Sequence, residues 1–295
     1  MNYVLLGSIG HISKPVAEKL IAKGQNVTIV TSNAGKVKEI EALGAKAAVG
    51  SIEDAAFLKK TFAGADAVYL MIPPKFDVTD WYEYQKKVAD NYVEAVKANN
   101  IKNVVVLSSV GAHKRKGVGP VDGVGYLEEK LNELKDINVH YLRPSYFYYN
   151  LFSMIPMIKH ANIMGSTQPA DFKMVLVHTS DIAEAAAQAL LKLDFKGQSV
   201  EYIASEEKTW TEITNVLAAA INKPGLPYIA FTDEQSREGM KGAGLSDTIT
   251  EGFVQMGKAL REGAMLEDYW KHKPAQLGKV KLADFAKEFA AAFNQ

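Results

Sequence analysis

The chain has 295 residues, 34 Lys plus Arg against 34 Asp plus Glu, 47% hydrophobic content and no cysteine. Zero net charge excludes a global electrostatic pull toward nucleic acid or anionic membrane, and the lack of thiols excludes disulfides, a thiol nucleophile and a cysteine-based metal site. No segment approaches the roughly 20 apolar residues of a membrane span, so we expect a cytoplasmic globular protein with a small-molecule partner, as monomer or homodimer, without nucleic acid, membrane or metal.

The first two-thirds alternates short β-rich runs with helical patterns. The runs are "YVLL" (3–6), "NVTIVT" (26–31), "AKAAV" (45–49), "DAVYLMI" (66–72), "NVVVLSS" (103–109), "NVHYLR" (138–143) and "SVEYIA" (199–204). Between them, apolar residues at three- and four-residue spacing predict helices: Val37, Ile40 and Leu43; Trp81, Tyr84, Val88, Tyr92 and Val96; Leu127, Leu131 and Leu134; Ile182, Ala185, Ala189 and Leu193. Gly44 and Gly64 stand where glycine ends a helix. This βαβ alternation predicts an α/β fold, a doubly wound parallel sheet with right-handed crossovers.

After about residue 204 the strands are expected to stop. Thr209 and Glu212 make a capping box ahead of Trp210, Ile213, Val216, Leu217 and Ile221, and further helices are expected over 248–262 and 281–293. The predicted organisation is therefore a dinucleotide-binding core over 1–204, with 145–178 contributing to a substrate cleft, and a small, mostly helical lobe over 205–295.

"LLGSIGHIS", residues 5–13, runs a strand straight into a helix through glycines. Backbone N–H groups and the positive end of the helix dipole would meet there, where a pyrophosphate can sit. Gly7 would make the turn and Gly10 would let the backbone approach the phosphates, although the spacing is G-x-x-G-x-x-S and Ser13 takes the third small position. The competing reading is that the two glycines only turn the chain. After the second strand come Thr31, Ser32 and Asn33, then Lys36 and Lys38, with no acid to hold ribose hydroxyls. A 2'-phosphate is better accepted there than repelled, which predicts NADP(H) in preference to NAD(H). The alternative is that Ser32 or Asn33 caps the next helix and the lysines are solvated.

Taken together, "GSIGHIS", "ALGAKAAVGSIEDAAFLKKTFAGADAVYLMIPP", "VVVLSSVGAH", "INVHYLRPSYFYYNL" and "VHTSDIAEAA" resemble, in order and spacing, the NmrA-like family of atypical short-chain dehydrogenase/reductases. The resemblance implies a Rossmann core with a smaller lobe closing over the cofactor. It also implies either an NADPH-dependent reductase of a small planar acceptor, such as a quinone or activated carbonyl, or a non-catalytic protein that senses NADP(H). By position it places the pyrophosphate on Gly7, Ser8, Ile9, Gly10, His11, Ile12 and Ser13, and the adenosine end on Thr31, Ser32, Asn33 and Lys36. Ser51 and Ile52 would flank the adenine, and Met71, Ile72, Pro73 and Pro74 the nicotinamide ribose. Two positions depart from the family pattern: Ser32, where arginine is frequent, and Ser51, where aspartate is common.

Tyr126 and Lys130 in "YLEEK" lie four apart on one helix face, the Y-x-x-x-K spacing of a phenol acid with its lysine. Ser108 or Ser109 would supply a supporting hydrogen bond at the carboxyl edge of the fifth strand. Counted back from "LRP" at 142–144 by the helix-to-strand spacing that the family resemblance implies, however, the pair is expected near Val121 and Gly125, five residues earlier, a rotation of about 140°. In "SYFYYN", Tyr146, Phe147 and Asn150 are candidates to line a pocket for a flat substrate, with lobe packing as the alternative. Ser180 or Asp181 is expected to cap a helix, and "HKRK" (113–116) to be a solvated basic loop.

Overall fold

A computed structural model describes residues 1–295. Strands β1 (Asn2–Leu5), β2 (Asn26–Thr31), β3 (Lys46–Val49), β4 (Ala67–Leu70), β5 (Asn103–Leu107) and β6 (Asn138–Pro144) alternate with helices α1 (Ser13–Ala22), α2 (Val37–Ala42), α3 (Ala55–Phe62), α4 (Trp81–Ala98) and α5 (Asp122–Asn132). The chain continues through β7 (Tyr146–Phe147), α6 (Ile155–Ala161), β8 (Met164–Ser166), β9 (Lys173–Val177), α7 (Thr179–Lys192) and β10 (Gln198–Ile203). It ends with β11 (Glu206–Thr209), α8 (Trp210–Ala220), β12 (Tyr228–Ala230), α9 (Asp233–Gly242), α10 (Asp247–Arg261), α11 (Glu267–Lys271) and α12 (Leu282–Phe293).

The seven runs read from the sequence form one sheet in the order β10-β6-β5-β4-β1-β2-β3, parallel at every pairing. Alternation along β1 shows why both faces are covered. Tyr3 and Leu5 pack with α1 and α7 residues such as Leu20 and Leu190, whereas Val4 and Leu6 pack with α3, α4 and α5 residues such as Phe62, Tyr92 and Leu131. The doubly wound fold is thus as expected. Strand order reverses between β1 and β4, the place where open α/β sheets leave a crevice at their carboxyl ends.

Two expectations need correction. Strands do not stop at residue 204: β11 pairs antiparallel with β9, and β12 pairs with β8. Neither carries an apolar alternation, because "EEKT" is half-exposed throughout and β12 has three residues with one partner; tertiary pairing, not local pattern, makes them strands. The α7 cap is likewise neither Ser180 nor Asp181. His178 is the N-cap, its ring accepting from the Ser180 N–H, while Asp181 accepts from the Ser205 hydroxyl at 2.6 Å and from the Lys279 and Val280 N–H groups. The Thr209–Glu212 capping box forms as read. The lobe core joins Tyr148, Leu151 and Ile158 to Trp210, Leu217, Phe285 and Phe289, so segment 145–178 packs with the helices beyond residue 205. No helix is long and apolar enough to cross a membrane.

Candidate functional site

Gly7 and Ser8 both take positive φ, +95° and +54°, to bring β1 into α1. Ser13 is buried, and its hydroxyl donates to the Leu6 carbonyl at 2.7 Å. The extra oxygen at the third small position is thus satisfied by the strand it packs on. A Cβ at Gly7 would meet that hydroxyl at 2.5 Å and the Met71 side chain at 3.3 Å; one at Gly10 would meet only the Gly7 carbonyl oxygen, at 3.2 Å.

This loop fits a dinucleotide pyrophosphate. The backbone N–H groups of Ile9, His11 and Ile12 have no acceptor in the protein. Helix α1 has no side-chain cap and no acidic residue in its first turn, so nothing neutralises its positive end. The Ser8 hydroxyl donates to Thr31 Oγ1 at 3.0 Å, fixing the loop against the end of β2. Thr31 is buried, Ser32 exposed, and Asn33 caps the short turn at 34–36 by accepting from the Gly35 N–H at 2.8 Å. Lys36 pairs with Glu39 at 3.3 Å, both about half-exposed. His11 packs against Tyr149 with ring centroids 4.5 Å apart and the planes tilted by 32°, and the Tyr149 hydroxyl donates to Glu288 on α12, so the lobe touches the loop directly.

Along the crevice, the Met71 carbonyl accepts from Tyr92 at 2.8 Å, and the Pro73 carbonyl from Tyr84 at 3.4 Å; Ile72 and Pro74 belong to the same extended stretch after β4. Ser51 is exposed and accepts from the Glu53 N–H at 3.1 Å, and the Ile52 carbonyl accepts from Asn91 at 3.1 Å.

Beyond the carboxyl ends of β5 and β6 lies a cavity of about 1000 Å³ between the sheet and the lobe. Ser109, Tyr146, Phe147 and Asn150 all stand on its wall. Six of the nine methionines line it too, namely Met154, Met157, Met174, Met240, Met256 and Met265. Thioethers adapt to irregular apolar and aromatic shapes, and Glu238 is the one charged residue on the wall. These methionines come from five separate segments of the chain, so no linear pattern announced them; Trp210 on the same wall read only as a helix-core position, and Phe253 joins it there.

Tyr126 and Lys130 are not brought to this cavity. Helix α5 turns them toward α4: the Tyr126 hydroxyl donates to Asp90 at 2.9 Å, and Lys130 pairs with Glu133 at 2.7 Å. The ammonium lies 5.6 Å from the Tyr126 ring centroid. Burial and the Asp90 hydrogen bond hold the phenol above its usual value. Val121, where the register count looked for the tyrosine, is on the cavity wall, and a Cβ at Gly125 would meet the Ala112 carbonyl oxygen at 2.7 Å. We therefore expect Tyr126→Phe to leave turnover unchanged; a loss in steady-state rate of about 100-fold, the scale of a lost general acid, would place the phenol back in the reaction. Ser108 is also committed elsewhere: its hydroxyl donates to buried Glu128 at 2.5 Å, below the cavity wall. The basic loop is tied down, with Lys114 3.1 Å from Glu267 and Arg115 3.2 Å from Glu129.

Comparison with known proteins places this geometry. A family model described as NAD(P)H-binding matches residues 7–192, more than half of the chain. An NAD(P)H azoreductase of Xenophilus azovorans is 24% identical over 295 residues, covering 99% of both chains. Among solved structures, an NADPH-dependent quinone oxidoreductase from Escherichia coli complexed with NADPH superposes with a TM-score of 0.81 at 19% identity, covering 97% of this chain and 99% of that one. A triphenylmethane reductase from Citrobacter sp. complexed with NADP(H) gives 0.78 at 16% identity, covering 97% and 100%.

Proposed function

Because this chain belongs to the NAD(P)H-binding family, we propose that it is an NADPH-dependent reductase of the NmrA-like type that delivers hydride to a planar, uncharged acceptor such as a quinone, an activated carbonyl or an azo compound. One observation carries the reading. An apolar cavity of about 1000 Å³ opens at the carboxyl ends of β5 and β6, at the same sheet edge as a glycine loop in which the N–H groups of Gly7, Ile9, His11, Ile12 and Ser13 have no acceptor. A cofactor laid from that loop across the β1–β4 crevice ends at the cavity.

The dinucleotide supplies hydride when bound. The residues supply its placement: Gly7 to Ser13 cradle the pyrophosphate, Thr31 to Asn33 with Lys36 face the adenosine, Ser51 and Ile52 flank the adenine, and Met71 to Pro74 line the ribose of the nicotinamide. The want of an acid after β2 supports NADP(H) over NAD(H), since a carboxylate there would repel the 2'-phosphate. Tyr146, Phe147 and Asn150, with the surrounding thioethers, hold a flat ring and exclude water from it. The similarity to the azoreductase and quinone oxidoreductase supports this acceptor class.

The test is cofactor consumption by the purified protein against quinones, azo compounds and dicarbonyls, with NADH in parallel. Saturable turnover is expected, with kcat/KM for NADPH about tenfold above NADH, a difference of about 1.4 kcal/mol. The position of Tyr126 and Lys130 away from the cavity favours a second reading, an NADP(H) sensor without turnover. No turnover with any acceptor, together with unequal affinities for NADPH and NADP+, would select it.

A further inference from the structure

The cavity wall carries no lysine, arginine or histidine, and its single carboxylate, Glu238, is exposed on α9. Tyr146 is the one tyrosine on the wall. Its hydroxyl makes no hydrogen bond within the protein, and it is not among the polar atoms sealed from solvent. The Ser109 side chain is in the same condition on the same wall. Nearby, the indole N–H of Trp210, 1% exposed, is buried with no acceptor. Two hydroxyls without partners border one cavity, so its complement is a ligand that brings acceptor atoms.

Past β5, the Ser108 N–H donates to the Leu142 carbonyl at 2.7 Å and the Val110 N–H to the Pro144 carbonyl at 3.0 Å, so the chain after β5 stays paired with the end of β6 as far as Val110 and Pro144, and Ser109 and Tyr146 both stand at that edge on the cavity wall. The Tyr146 ring meets Trp210 edge-on, centroids 6.2 Å apart at 77°. Trp210 in turn stacks on Tyr228 at 5.4 Å, and the Tyr228 hydroxyl is held by the Gln168 carbonyl at 2.8 Å. The phenol is thus oriented before any ligand arrives.

We infer that Tyr146 is the catalytic proton donor of this site, in the role that the sequence offered to Tyr126, with the Ser109 hydroxyl as a second donor on the same wall. This rests on the reductase reading above. As hydride from the dihydronicotinamide reaches a quinone, the Tyr146 O–H bond breaks and its proton bonds to the quinone oxygen. The quinone is reduced by two electrons to the hydroquinone, the nicotinamide is oxidised, and water entering the cavity returns a proton to the tyrosinate. Burial raises the phenol above its ordinary value, so its proton leaves only as hydride delivery builds negative charge on the quinone oxygen.

Two readouts on Tyr146→Phe test this. The first is quenching of tryptophan fluorescence when 1,4-naphthoquinone is added to the protein without cofactor, Trp210 being on the cavity wall. We expect quinone affinity to fall about tenfold. The second is naphthoquinone reduction by NADPH, expected to slow by about 100-fold with the wild-type solvent isotope effect lost. The ring and its contact with Trp210 survive the substitution; if circular dichroism nevertheless shows misfolding, Ser109→Ala carries the test, with quinone affinity expected to fall about threefold. Wild-type affinity and rate in Tyr146→Phe would overturn the assignment. Tyr146-dependent quinone binding without turnover would leave Tyr146 as a hydrogen-bond donor to the ligand and overturn both its catalytic role and the reductase reading. A wild-type protein that neither binds nor reduces naphthoquinone would overturn both.

Discussion

Gly7→Ala is expected to lower NADPH affinity by about 100-fold, measured by titration of cofactor fluorescence. The φ of +95° at Gly7 is one that a side chain disfavours by about 1–2 kcal/mol. The added Cβ would also stand 2.5 Å from the Ser13 hydroxyl, forcing it from the Leu6 carbonyl on which a buried donor depends. Losing that bond costs about 1–3 kcal/mol. Together these come to about 3 kcal/mol, which is about 100-fold if the loop moves to relieve it. Adding Ser13→Gly removes the clash but not the φ penalty, so the double variant should recover part of the affinity. An alanine variant with wild-type affinity would show that the loop does not hold the cofactor.

Arg143→Met is expected to lower the melting temperature by on the order of 10 °C, followed by circular dichroism or differential scanning fluorimetry. Arg143, on β6, pairs with Glu128 on α5 through two contacts, Nη2 to Oε2 at 2.6 Å and Nε to Oε1 at 3.0 Å. Both residues are buried, at 7% and 5% exposure. Removing the cation strands the carboxylate, which costs about 3–5 kcal/mol, whereas Glu128→Leu with Arg143→Met removes both charges and should be milder. A drop of less than roughly 2 °C in the single variant would mean that the pair adds nothing.

The same arginine reaches the lobe: its Nη1 donates to the Tyr202 hydroxyl at 3.0 Å and to Asp268 on α11 at 3.2 Å, and Tyr202 donates to Asp268. Met265 and Leu266, just before α11, line the cavity, so the variant should also raise KM for the acceptor. Burial raises the Asp268 carboxyl, but the Tyr202 hydrogen bond and the charges of His113, His272 and Arg143 outweigh it, leaving it below its usual value. A depressed folded value means that this tie contributes above the unfolded value and fades as pH falls through the folded one, so the strap yields only in acid.

The sequence by itself determined the parallel sheet. The five inner strands were legible because each is a short, mostly buried apolar run, and burial leaves a local compositional mark; the edge strands β3 and β10 are largely exposed and were legible only as short apolar runs in the βαβ alternation. The glycine loop was legible for a similar reason: Gly7 and Ser13 answer a constraint between residues six apart, one of which takes a positive φ. Only the tertiary structure decided which residues face the cavity. Tyr126 and Lys130 have the right spacing, yet the rotation of α5 sends them to Asp90 and Glu133, and helix rotation depends on packing against α4 rather than on spacing. Tyr146, Ser109, Trp210 and six distant methionines meet because the sheet edge and lobe converge, and such a convergence leaves no periodic trace along the chain.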